Sequence, residues 1–172
     1  MAGRAPKSLS VRLRREATVR RGDRRIAAYR RILVPLLDAK ESERAIDIAC
    51  RLAAEHGVSV TALTVIEVPV TLPIDAQMIE EEAEAKRVLE VARAIADGYG
   101  VSVSEQVVRA RDAGEAIVEE ASRANTEIII LRAPRKRGSS RGARLFGGTV
   151  DFVLKHAPCR VMVAAAPATP EK

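Results

Sequence analysis

The chain has 172 residues, 47% of them hydrophobic and 30% charged, which is the size and composition of one globular domain with its own core. Aromatic residues make up only 2%, with no Trp. That argues against an aromatic stacking platform for single-stranded nucleic acid and against an aromatic cage for quaternary ammonium groups. No run is long enough to span a membrane. Cys50 and Cys159 are too far apart for zinc-type spacing and too few for a disulfide framework, so a reduced, cytoplasmic protein is expected.

The formal charge of +6 is unevenly placed. Residues 1–31 hold 11 Lys/Arg and two acids, Glu16 and Asp23, for +9; the remaining 18 Lys/Arg and 21 Asp/Glu sum to −3. The basic character therefore belongs to an amino-terminal segment. Arg14-Arg15 is followed by no apolar stretch, so it is not read as a twin-arginine or secretory signal, while the Arg-rich, acid-poor composition is also that of a transit peptide. Dense like charge and scattered apolar positions predict a tail over 1–29 without fixed structure, or a short helix formed on binding.

From residue 31 the pattern changes. Ile32-Leu33-Val34-Pro35-Leu36-Leu37 is a short apolar run of the kind that makes a buried parallel strand. Asp38 or Ser42 is placed to cap the helix that follows, whose apolar positions are Ala45, Ile48, Ala49, Leu52 and Ala53, and Gly57 ends it. Residues 58–66 read as a second strand. After Pro69 and Pro73 comes a long amphipathic helix with Ala85, Val88, Leu89, Ala92, Ile95 and Ala96 on its apolar stripe. Glu80, Glu81, Glu82, Glu84 and Glu90 take its wet face, and Gly98 and Gly100 close it.

Residues 101–110 read as a third strand. Asp112 caps a helix with Ala113, Ile117, Ala121 and Ala124 inward. Residues 126–131 form a fourth strand, buried on both faces. A basic loop, 132–147, leads to a short helix from Thr149 to about His156 carrying Val150, Val153 and Leu154. Residues 160–164 are the last strand. The strand–helix alternation predicts an α/β, doubly wound, five-stranded parallel sheet with helices on both faces. With strand order 3-2-1-4-5, the sheet reverses between the first and fourth strands. Ligands of such sheets bind at the carboxyl ends of those two strands.

The loop entering that crevice ends on Gly147-Gly148-Thr149, which opens a helix. Free backbone N–H groups at a helix start, glycines without Cβ and a nearby hydroxyl make a phosphate cradle. Arg132, Arg135, Lys136, Arg137, Arg141 and Arg144 add positive potential. It is not a Walker motif, because no Lys precedes Thr149. A solvated surface loop with turn glycines has the same residues.

Residues 31–165 resemble a universal stress protein domain. The resemblance is carried by Ile32-Leu33-Val34-Pro35, Leu63-Thr64-Val65-Ile66, Asp112 through Ile117, Gly148-Thr149-Val150 and His156-Ala157-Pro158-Cys159-Arg160-Val161. It implies a flavodoxin-like (HUP-type) fold over residues 30–166 between the tail 1–29 and a polar end 167–172. It also implies a homodimer through the last strand and, in one branch, ATP or AMP binding. That branch has a glycine, two residues, a glycine, nine residues, then Gly-Ser or Gly-Thr. Gly138, Gly148 and Thr149 match the second half; Arg135 stands where the first glycine would be, and Leu37 stands where the family's Asp would be, with Asp38 one later. The loop and residues 146–156 are similar to stress-protein domains associated with amino-acid permeases.

By this resemblance Pro35, Leu36 and Val65 line a base pocket. Gly138, Gly148, Thr149 and Val150 hold ribose and phosphates, with Arg132 and Arg135 assisting and Asp38 available as a ligand or a helix cap. Loss of a side chain that hydrogen-bonds a buried ligand costs about 1–3 kcal/mol, so an affinity about tenfold or more below a complete site is expected. Val161, Met162 and Val163 on an edge strand need cover, which a second copy supplies across a two-fold axis. The chain reads as a non-enzymatic regulator acting on a protein partner such as a transporter. The alternative is an interaction module working without nucleotide, its tail on nucleic acid or an anionic membrane. His56 and His156 sit at helix ends facing the negative dipole, Cys50 and Cys159 read as core thiols, and the Glu80–Glu84 run as a solvated face and not a metal site.

Overall fold

Four consecutive buried residues, Ile32–Pro35, make the first strand, β1. The fold comes from a computed structural model that describes residues 29–37, 39–133 and 147–165; the expectations for 1–28, Asp38, Arg135, Gly138 and 167–172 fall outside them. β4 (Ile128–Arg132) is likewise buried from Ile128 to Leu131, as befits an inner parallel strand covered on both faces. β2 (Val60–Glu67), β3 (Val103–Ala110) and β5 (Arg160–Ala164) complete a parallel sheet of order β3-β2-β1-β4-β5. This is the predicted doubly wound topology.

Two aliphatic layers hold it. α1 (Ala39–His56) and α2 (Ile79–Tyr99) pack with Ile32, Val34, Val60, Ala62, Ile128 and Ile130 on one face. α3 (Ala113–Arg123) and α4 (Gly148–His156) pack with Leu33, Leu63, Ile129 and Leu131 on the other. Strand alternation explains the split, because successive side chains point to opposite faces.

β2 and β3 start two residues later than the apolar runs suggest. The helix ends take those residues. Gly57 (φ 63°) and Gly100 (φ 66°) turn left-handed after α1 and α2. Val58 N then donates to Ala53 O at 3.1 Å and Val101 N to Ala96 O at 3.0 Å, the six-residue closure that satisfies a last-turn carbonyl. Gly98 stays inside α2 and does not close it.

β1 stops at Pro35, and Leu37 is 45% exposed. Ser42 lies inside α1, not at its cap, since the helix already begins at Ala39. Asp112 caps α3 as expected, accepting from Glu115 N at 2.9 Å. Ala124 is the exposed end of α3 and Leu154 an exposed residue of α4, so neither joins the core. Gly114 lets α3 and α4 approach: a Cβ there would lie 3.0 Å from Phe152.

The β2–α2 connection is strapped to the end of β3. Arg111 donates to Val68 O at 2.9 Å, to Leu72 O at 2.8 Å and to Pro69 O. Arg109 reaches Ala76 O and Glu82.

Candidate functional site

Reversal of the sheet between β1 and β4 opens a crevice at their carboxyl ends, because the connection leaving β1 goes to one face and that leaving β4 to the other. β1 ends there with Pro35, which lies opposite Leu63 of β2. Leu36 N donates to Leu63 O at 2.8 Å as the chain leaves the sheet. β4 ends with Arg132, opposite Ala164 of β5, and Ala133 N donates to Ala164 O at 2.9 Å.

α4 begins at Gly148, and its cap residue is Gly147 with φ 78° and ψ 168°, backbone angles that only glycine adopts readily. Among the described residues no side chain caps the helix. Its first internal bond is Asp151 N to Gly147 O at 3.0 Å. The N–H groups of Gly148, Thr149 and Val150 therefore have no intrahelical acceptor and lie at the positive end of the helix dipole.

The candidate residues do not all share one surface. Val65 packs, partly buried, against the α3/α4 layer, and alternation from Leu33 places Pro35 on that same face. Val150 is buried in that layer, while Gly148 is exposed and Thr149 half-buried at its rim. Leu36, by contrast, is 2% exposed and belongs to the α1/α2 core. Arg132, half-buried, follows Ile130 and lies on the α1 side by the same alternation. Of the Gly147-Gly148 pair, only Gly148 was expected among the ligand-holding residues. Gly147, and not Gly148, carries the left-handed turn. Thr64, level with Leu36 by register, is 7% exposed, and its Oγ1 has no hydrogen-bond partner among the described residues.

The family model for the universal stress protein family matches residues 28–165. The chain belongs to that family. A universal stress protein from Archaeoglobus fulgidus is 24% identical, with a TM-score of 0.65 over 78% of this chain and 98% of that one. A second structure, of the universal stress protein from the same organism in complex with dAMP, is 20% identical, with a TM-score of 0.62 over 79% and 98%. A universal stress family protein from Arabidopsis thaliana with AMP bound is 18% identical, with a TM-score of 0.60 over 80% and 92%. At these identities the likeness establishes the fold. No curated protein matches the chain.

Other reactive groups of this universal stress protein domain are accounted for structurally. Cys50 is fully buried, and desolvation, with Asp47 adding to it, pushes its thiol up to about 11; such a thiol holds its proton and is a poor nucleophile. Burial also raises Cys159, which precedes β5 and packs against the α3/α4 layer. His156 Nδ1 lies 2.9 Å from Phe152 O, and the ring stacks on Phe152. Among the described residues no cluster of three His, Cys, Asp or Glu side chains is placed to hold a metal ion, and no helix is long and apolar enough to cross a membrane.

Proposed function

We propose that this domain binds an adenine nucleotide, AMP or ATP, in the crevice between β1 and β4, and passes its occupancy to a protein partner without catalysing a reaction. The start of α4 carries the reading. Three N–H groups without intrahelical acceptors, on a glycine-built turn beside the sheet's switch point, suit a phosphate or ribose oxygen. The dAMP and AMP complexes of similar proteins support it. Pro35 and Val65, on the α3/α4 face, are the apolar residues available to a base. Leu37 in place of an acidic residue, and Arg135 in place of a glycine, make the affinity modest. Titration calorimetry of the full chain with AMP and ATP is expected to give saturable heat below 1 mM ligand; no heat at 1 mM overturns the proposal.

The same reading holds that the protein is a cytoplasmic homodimer joined through β5. β5 pairs with β4 alone among the described residues, and Val161, Met162 and Val163 are all only partly covered. Antiparallel pairing with a second β5 covers both backbone and side chains. Light scattering at micromolar concentration should return twice the chain mass of 18.6 kDa, and a monomer mass would refute it.

A further inference from the structure

β3 is the other edge of the sheet, and among the described residues it pairs with β2 alone. An uncovered eight-residue edge is a template for another strand. Beside it a groove of about 330 Å³ runs between β3 and α2. Leu89 and Val107 give the groove apolar surface, Val107 being 50% exposed, and its charged rim is mixed: Glu105 pairs with Arg93 and Glu82 with Arg109, while Lys86 and Glu90 also line it. Around the start of β3 this groove meets a second hollow at Arg93, and that one meets a third at Gly100 and Ser102. The third reaches Gly57 and Tyr99, at the carboxyl ends of α1 and α2. Three hollows in series, a segmented furrow, therefore lead from beneath the sheet, where its strands begin, up along the β3 edge.

The chain carries a segment matched to this furrow. In Leu9-Ser10-Val11-Arg12-Leu13-Arg14 every second residue is apolar, the period of a strand with one covered face. Residues 12–25 contain seven arginines and two acids. The described chain starts at Tyr29, at the amino end of β1, where Tyr29 packs against the α1/α2 core. The 13 residues from 16 to 28 can reach up to ~45 Å when extended, and the far side of β3 is only about 14 Å from β1, at three strand spacings. A chain taking that route crosses the carboxyl ends of α1 and α2, where the helix dipoles favour cations. It then runs up the edge in reverse, so residues 9–15 lie antiparallel to β3.

We propose that residues 9–15 add to β3 of the same molecule as a sixth, antiparallel strand. Leu9, Val11 and Leu13 cover Val107 and Leu89, and the arginines of 20–25 lie over the ends of α1 and α2. The basic tail is then a closing strand that protects one edge of the sheet.

Amide hydrogen exchange on the full chain tests this at two protein concentrations. The comparison variants are a tail variant (Leu9→Asp, Val11→Asp, Leu13→Asp together) and Val107→Asp on the receiving side. In the unaltered chain the outward amides of β3 should exchange at least tenfold more slowly than in either variant. The inward amides bonded to β2 should be unchanged, and the protection should not depend on concentration. Equal rates in the unaltered chain and the tail variant overturn the proposal, and that variant changes no described residue. Protection that grows with concentration also overturns it, by assigning the edge to a second copy.

Discussion

Gly147→Ala is expected to weaken AMP binding by tenfold or more while leaving the circular dichroism of the protein unchanged. The turn at Gly147 has φ 78° and ψ 168°, a region essentially closed to residues with a Cβ, where an alanine costs about 1–3 kcal/mol if the backbone stays in place. If the backbone moves to relieve the strain, the N–H groups of Gly148, Thr149 and Val150 lose their common aim. Either response damages the one feature on which the nucleotide proposal stands. The accompanying loss of melting temperature is roughly 2–12 °C for a domain of this size, so binding falls further than folding does. Thr149→Ser and Thr149→Val separate the hydroxyl from the turn. Ser keeps the oxygen and should bind as the unaltered chain does; Val should lose about 1–2 kcal/mol, roughly five- to thirtyfold in affinity. Undiminished AMP affinity in Gly147→Ala would show that the start of α4 does not hold the ligand.

A second large effect is expected in the core. Ile129→Ala should destabilise the protein by about 3 kcal/mol and lower its melting temperature by roughly 6–12 °C. Ile129 is 0% exposed, lies between Leu33 of β1 and Val161 of β5 in register, and packs with Ile117 of α3 and Val153 of α4. Shortening it opens a cavity in the layer that seats α4, where rigid neighbours on two strands and two helices cannot all collapse inward. Differential scanning calorimetry measures the change. A shift below 2 °C would mean that this layer repacks freely, and the fixed position of the α4 turn would then need another explanation.

The inner strands were legible because burial on both faces leaves an unbroken aliphatic run: Ile32 to Leu36 and Ile128 to Leu131 are apolar without interruption. The Asp112 cap was legible because its chemistry is local, one carboxylate accepting from an amide three residues on. The starts of β2 and β3 were not, because Val58 and Val101 look like strand residues yet their amides close helices. Leu36 shows the same limit at the site. Its neighbour Pro35 belongs to the crevice side, but alternation carries Leu36 into the α1/α2 core. The burial of the Thr64 hydroxyl, without a partner among the described residues, was not legible either, since a threonine in a strand is ordinary until the layer packed over it is known.

Local order of elements, the aliphatic character of the core and the separation of a basic tail from an acidic domain follow from the residues themselves, because hydrophobic period and charge are properties of short stretches of chain. Which face each site residue joins, which glycine bears the left-handed turn and how the furrow passes from the helix ends to the β3 edge are set by contacts between segments far apart in the chain. Alternation within a strand says that neighbours part company, but only the layer packed on each face says which of them meets a ligand.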